Sequence, residues 1–440
     1  MSKEKRTFFV NTLHTLVTKV FIAGLKLALS VLTARILGVS GRGLFFLSTS
    51  LAGTTSTVGS ISIGEGLTFL IAKGSLKRKE IFGTAAVLLV MFTSFLWLVI
   101  YALLPFLMDN ILSELNADLV PFIFLLIPFL LIEYLFGQIL KGLEKFKLLN
   151  YLSIFTRTLI ILSLLIFVFT QPVNFSNFFK AYVFVLGAVA IIQTFILWYL
   201  SYFRIFLSIR ALKEILRFGI SVHLGIMMTE IEHRLDVFIL AFFLSSSAIG
   251  IYSIAVVMAQ LLWYSSNSLN SVLFPYLAGR LSDKIRNIKF TIKVTKLILL
   301  LNSFLILMLI LFGEFIISTL YGQDFILAYS VFLFLSIGLL GESISRTLSV
   351  WIKSNLNPIV LSKVALVTLS VNIGLNFLLI PLYGIYGAAV ASSASYLLRA
   401  LLLMLIFKKN TGTNLLLFLK FKYEDFRSFI IFLKDPKNEN

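Results

Sequence analysis

The chain has 440 residues, is 59% hydrophobic with 44 Phe, and is only 13% charged. A soluble domain carries about 45–50% apolar and about 25% charged residues, so no soluble core could hide this surface and a polytopic membrane protein is indicated. Zero cysteines exclude disulfides and thiolate metal sites, and the net charge of +18 must be judged by where the charges sit.

Apolar windows long enough for a hydrocarbon core of about 30 Å predict twelve helices, near 10–36, 44–72, 81–107, 120–140, 149–170, 177–202, 212–243, 249–278, 290–312, 328–352, 359–382 and 384–407. The runs are continuous rather than alternating, which predicts helices and not barrel strands. No cleavable signal peptide is expected, because the first apolar run carries Lys19 and Lys26 and lacks a small-residue cleavage site. Of the 38 Lys and Arg, 29 fall on the tails and the even-numbered connections. The odd-numbered connections hold Arg35, Arg42 and Lys180, together with acids such as Asp109, Glu114 and Asp324. The positive-inside rule then places both termini in the cytoplasm, with twelve crossings. The basic excess is therefore a topology signal, and no nucleic-acid partner is expected.

The halves echo each other. Leu37-Gly-Val-Ser-Gly-Arg-Gly43-Leu-Phe45 aligns with Leu244-Ser-Ser-Ser-Ala-Ile-Gly250-Ile-Tyr252 at a shift of 207. The same shift sets the small-residue run Gly53–Ser62 beside Ser265–Ser271. Six helices are thus followed by six in a parallel repeat, the first bundle over 1–202 and the second over 203–410. Residues 411–440 form a cytoplasmic tail, in which Asn414 to Lys434 reads as an amphipathic helix at the membrane interface.

Six basic residues remain inside predicted spans: Lys19, Lys26, Arg157, Arg234, Arg346 and Arg399. A charge at the bilayer centre costs at least about 2.5–3.5 kcal/mol, so such groups face water or each other. The seventh helix is the most charged. His223, Glu230 and Arg234 lie within about 40° of one another at 100° per residue, with Glu232 and Asp236 on the other side and His233 between. Glu230–Arg234 and Glu342–Arg346 are spaced i, i+4 to pair; each is either a structural brace or a cavity group. Lys26 lies about 24 Å along a first helix that starts near Val10, too deep to reach inner headgroups. Glu133 and Glu65 read as isolated acids, with Glu65 the candidate for proton or cation coupling. Arg399 is expected to snorkel or pair locally. Asn267 and Asn270 suit a hydrated wall on the eighth helix. The candidate substrate contacts are Lys19, Lys26, Arg157, Arg234 and Arg346. The coupling or pairing acids are Glu65, Glu230 and Glu342, and His223, His233, Asn267 and Asn270 line the cavity.

No phosphate-binding loop, metal-binding His spacing or large outer loop is present in the sequence, so neither a built-in ATPase nor a glycan polymerase is expected, and no cofactor or metal. Arg35-Ile-Leu-Gly-Val-Ser-Gly-Arg-Gly43, Lys141-Gly-Leu-Glu-Lys-Phe-Lys147, Arg217-Phe-Gly through Arg234-Leu-Asp-Val-Phe to Gly250-Ile-Tyr252, and Leu378-Leu-Ile-Pro-Leu-Tyr-Gly-Ile-Tyr-Gly-Ala-Ala389 are similar to motifs of one family. This is the polysaccharide-transport, O-antigen-flippase-like branch of the multidrug/oligosaccharidyl-lipid/polysaccharide exporter superfamily. The resemblance runs over nearly the whole chain. It implies two six-helix bundles set as a V around a central cavity, and an oligosaccharide on a polyprenyl diphosphate moved across the membrane by alternating access. It also implies membrane lipids and glycan polymerase or glycosyltransferases as partners. The driving force is left open between a proton gradient, a sodium gradient and the membrane potential. The alternative is a cation-coupled drug or small-molecule antiporter of the same superfamily.

Overall fold

A computed structural model describes the chain apart from residues 1–2, 75–76, 172, 200–206, 279–282, 358, 419 and 421–440; its side chains are described from Thr18 onward, except at 78–79, 271–272, 274–275, 278 and 416. Twelve α-helices and no strand run through the described residues. They are α1 (Lys3–Gly59), α2 (Ile63–Lys73), α3 (Arg78–Asn110), α4 (Val120–Gly142), α5 (Phe146–Thr170), α6 (Phe175–Tyr199), α7 (Ile209–Phe243), α8 (Ser246–Ala278), α9 (Lys284–Leu320), α10 (Leu327–Asn355), α11 (Ile359–Tyr383) and α12 (Ile385–Thr411). The protein is an all-helical multi-pass membrane protein, with ten described segments long and apolar enough to cross a bilayer.

The predicted helices survive with two adjustments. α1 joins the first predicted helix to most of the second through a break at Gly38, where φ of 66° and ψ of −172° lie in a region open only to glycine. The second predicted helix, expected unbroken to residue 72, stops at Gly59 and resumes as α2. Between them Ile61 and Ser62 take φ of 45° and 52°, an uncommon conformation for side-chain-bearing residues. α7 is not among the ten apolar segments because its middle is charged, although its 35 residues are ample for a crossing.

The chain forms two compact units, Met1–Gly250 and Ile251–Asn440. In the first, α1 packs on α4, α5 and α7, α2 on α4 and α7, and α4 on α6. Its core is built from Ile63, Leu67, Leu70, Phe82, Ile139 and Ile215. The repeat predicts a division at 202/203, whereas compactness divides the chain after Gly250. The reason is packing: α7 lies along α1, α2 and α3, so it groups with the helices that precede it. In the second unit α10 packs on α9 and α12, and α12 on α11, around Phe290, Ile298, Leu348, Trp351 and Phe407. The tail enters this core: Leu415–Phe418 is a short 3₁₀ turn, and Phe418 is buried with its ring 5.6 Å from that of Phe407. The rest of the expected interfacial helix, from residue 421, lies outside the described residues.

Large apolar side chains also cover exposed surface, among them Val90, Phe95, Leu98, Tyr101 and Phe106 on α3. In water such a patch would be a liability; against lipid it is the solvent-facing surface.

The two echoing turns meet. A Cβ on Gly43 would strike the carbonyl of Ser246, and one on Gly250 would strike the carbonyl of Val39. Glycine is required at both places for the backbones to approach. The Ser40 and Ser246 hydroxyls lie 2.6 Å apart, and Glu114, from the connection between α3 and α4, accepts from both the backbone N–H and the hydroxyl of Ser246.

Candidate functional site

α7 carries one half-exposed and one buried charged stripe, as the helical spacing predicts. Glu232 and Asp236 are buried at 1% and 5% exposure. On the other stripe Arg234 Nε lies 3.6 Å from Glu230 Oε1, and these side chains keep 29% and 30% of their surface exposed. Arg234 also donates to Ser50 Oγ at 3.4 Å and stands 5.7 Å over the Phe46 ring. Counting back from the helix end at Phe243, Arg234 is about 14 Å and Glu230 about 20 Å into the span. Charges at that depth, partly uncovered by protein, require hydrated space rather than lipid. His223 sits lower on the helix, and its Nδ1 is 3.1 Å from the hydroxyl of Ser62 at the strained turn before α2. His233 is half-buried on the same helix.

Glu65 is not isolated. The Tyr134 hydroxyl donates to Glu65 Oε2, and Gln138 Nε2 donates to Oε1 at 2.8 Å. Thr68 in turn donates to the Gln138 side-chain oxygen at 3.0 Å. These donors come from one face of α4, at positions i and i+4. Neutral donors orient the carboxylate without supplying a counter-charge, which leaves it able to attract a cation.

Glu133 is not isolated either: Arg157 on α5 donates to its Oε1 at 2.5 Å. Beside this pair, a cavity of about 590 Å³ opens among α1, α4, α5 and α6. Lys19, Glu133, Tyr134, Lys141, Asn150 and Gln193 are on its wall. Lys26 lies elsewhere, exposed on α1 about 18 Å below the Gly38 break. Its expected depth assumed a helix starting at Val10; α1 starts at Lys3, and the outer break is the better reference.

In the second unit Glu342 is 2% exposed and lies between two guanidinium groups, Arg346 at 2.8 Å and Arg399 at 3.8 Å. Arg346 donates to Asn267 at 3.1 Å and stacks 4.5 Å from the Trp263 ring. Arg399, 7% exposed, reaches across from α12 to α10 rather than snorkelling or pairing within its own helix. Asn270 is buried, and its side-chain oxygen has no partner among the described residues.

The structure thus joins Glu230 with Arg234, and Glu342 with Arg346 and Asn267. Within the first unit, Lys19 lines a different neighbourhood from that of Arg234. Four participants escaped the sequence. Arg42, assigned to an outer connection, is 4% exposed and donates to Thr33 at 2.7 Å and Ser30 at 3.2 Å, tying the two limbs of α1 together. Tyr134 and Gln138 hold Glu65. Asn302, fully buried on α9, accepts from Ser265 at 2.5 Å and donates to Ser343 at 2.7 Å and Ser266 at 3.2 Å, clasping α8 and α10. A lone Asn in a leucine-rich run was the available signal for the last.

Known structures share this fold. The lipid II flippase MurJ in an inward closed conformation superposes with a TM-score of 0.74 at 16% identity, over 97% of this chain and 93% of that one. An inward-facing multidrug resistance MATE family transporter of the MOP superfamily gives 0.68 at 16% identity, over 91% and 94%. A mutant of the Vibrio cholerae MATE transporter VcmN gives 0.61 at 14% identity, over 94% and 98%. No curated protein matches the sequence. Residues 8–279, more than half of the chain, match the family model described as polysaccharide biosynthesis protein. The chain belongs to that family.

Proposed function

We propose that the protein is a flippase that moves an oligosaccharide on a polyprenyl diphosphate, an O-antigen, capsule or exopolysaccharide repeat unit, from the inner to the outer leaflet by alternating access. Family membership supports a role in polysaccharide biosynthesis, and the fold shared with a lipid II flippase suits a lipid-linked glycan. The observation that carries the reading is the half-exposed Arg234–Glu230 pair in the middle of a membrane span. A diphosphate crossing hydrocarbon needs cations in a low-dielectric but hydrated space, where Coulomb attraction is strong. Arg234 supplies a guanidinium there, with Glu230 as its resting counter-ion, and Lys26 supplies an ammonium at similar depth. Arg157 and Arg346, each engaged by a carboxylate, brace the helices around the path. The membrane is the bacterial inner membrane with both termini cytoplasmic. Glycosyltransferases supply the substrate on the inner side and a polymerase consumes it outside. Transport needs no ATPase in the chain and draws on a proton or sodium gradient or the membrane potential.

The test is surface glycan in a strain lacking its own flippase. Arg234→Ala and Lys26→Ala are expected to reduce glycan at least about tenfold while the protein still inserts. Undiminished glycan in both variants would remove these residues from the path. A second reading, a cation-coupled drug antiporter, is favoured by the Glu65 cluster, an acid held only by neutral donors. Altered drug sensitivity in a deletion strain with unchanged glycan would establish that reading instead.

A further inference from the structure

The cavity among α1, α4, α5 and α6 is lined by two lysines that make no hydrogen bond or ion pair among the described residues. Lys19 is half-buried and Lys141 exposed, and both are on the wall of the same space of about 590 Å³. That size is within the roughly 300–1,000 Å³ of ligand pockets. The two ammonium groups are near enough to repel each other. The neighbouring Glu133 cannot neutralise them, because Arg157 holds it at 2.5 Å. Glu65 keeps its charge, because Tyr134 and Gln138 are neutral donors, but it can compensate only one of the two ammonium groups. The charged groups around this space therefore leave one positive charge in excess, which suits an anionic ligand. Gln193, 4% exposed on α6, also lines the cavity, and its Oε1 has no hydrogen-bond partner. A buried carbonyl oxygen without a donor is costly, and a ligand hydroxyl would satisfy it. The remaining wall is apolar, with Ile22, Leu130, Phe136 and Leu149.

Depth narrows the ligand. Lys19 is about 28 Å below the Gly38 break, and Lys141 is in the last turn of α4, so both stand at the basic boundary of the hydrocarbon core. On the positive-inside reading this is the level of inner-leaflet phosphates. We propose that this cavity is a resident phospholipid site, in which Lys19 and Lys141 hold the phosphodiester of a glycerol-type headgroup, Gln193 accepts from its hydroxyl, and the apolar wall takes the start of an acyl chain. The space is walled by helices of one bundle, which suits a ligand that stays. The site goes beyond the flippase reading and does not rest on it.

The experiment is native mass spectrometry of the full chain released from vesicles of phosphatidylcholine doped with phosphatidylglycerol or phosphatidic acid. Wild-type protein is expected to retain phosphatidylglycerol about tenfold over phosphatidylcholine, and the Lys19→Gln/Lys141→Gln variant to lose that preference. Lys19→Arg/Lys141→Arg, which keeps both charges, should retain it and controls for folding. Gln193→Leu should narrow the preference for phosphatidylglycerol over phosphatidic acid, whose headgroup has no glycerol hydroxyl. Equal retention by the wild type and the double Gln variant overturns the site. Displacement of the lipid by soluble glycerol phosphate at matched concentration overturns the lipid source. Displacement by an equimolar polyprenyl diphosphate assigns the cavity to the transport path and overturns the resident role. Retention in a chain that moves no glycan supports the site while the transport proposal fails.

Discussion

Two carboxylates inside the membrane, Glu65 in the first unit and Glu342 in the second, are stabilised by opposite means. Glu65 receives hydrogen bonds from the neutral side chains of Tyr134 and Gln138. Glu342 is 2% exposed and sits between Arg346 and Arg399. Neutral donors satisfy oxygens without cancelling charge, so Glu65 can still attract a cation. Two guanidinium groups over-compensate Glu342, and neither the acid nor its partners can change state without stranding a buried charge. One arrangement suits work that recurs each cycle; the other suits holding α10 to α12.

The sharpest way to break this contrast is Glu342→Ala. It leaves the buried Arg399 and the half-buried Arg346 without a counter-charge and is expected to destabilise the protein by about 3–5 kcal/mol, read as a fall in thermal melting in detergent. Replacing Glu342, Arg346 and Arg399 together with Met should recover most of that loss, since apolar packing often equals a buried ion network. Failure of the triple variant to recover would mean the charges do more than brace. Asn302→Ala removes the neutral clasp between α8, α9 and α10. Its expected cost is about 2 kcal/mol, because several partners lose a bond at once. Glu65→Gln should cost about 1 kcal/mol or less, as an amide oxygen still accepts from Tyr134. Surface glycan in that variant should nevertheless drop at least about tenfold. A Glu65→Gln protein that melts as low as Glu342→Ala would erase the distinction between the two acids.

Hydropathy made the helices legible, because bilayer thickness acts on contiguous sequence. Both i, i+4 pairs, Glu230–Arg234 and Glu342–Arg346, could be read for the same reason: helix geometry fixes them locally. Pairing across helices was not legible. Glu133 and Arg157 are 24 residues apart, and Glu65 and Tyr134 are 69 apart, so only packing decides that they meet. The break at Ser60–Ser62 was hidden because Ser-rich helix and Ser-rich turn have the same composition. Arg42 was misplaced because a charge near a span end usually lies in a loop, whereas here the Gly38 break folds it back onto Thr33 and Ser30.

The meeting of the two echoing turns has a historical reading. Val39 and Gly43, shifted by 207, become Ser246 and Gly250, so each turn offers the other the same glycine and receives the same carbonyl. Reciprocity of this kind is the mark of an isologous interface between identical partners, which is what an unfused ancestor of half the length would have formed with itself. The halves have since diverged. Ser246 gained an anchor to Glu114 and a hydroxyl partner in Ser40, while Val39 offers only its carbonyl and alkyl surface. The seam is therefore no longer symmetric: Ser246 brings side-chain hydrogen bonds that the alkyl side chain of Val39 cannot make.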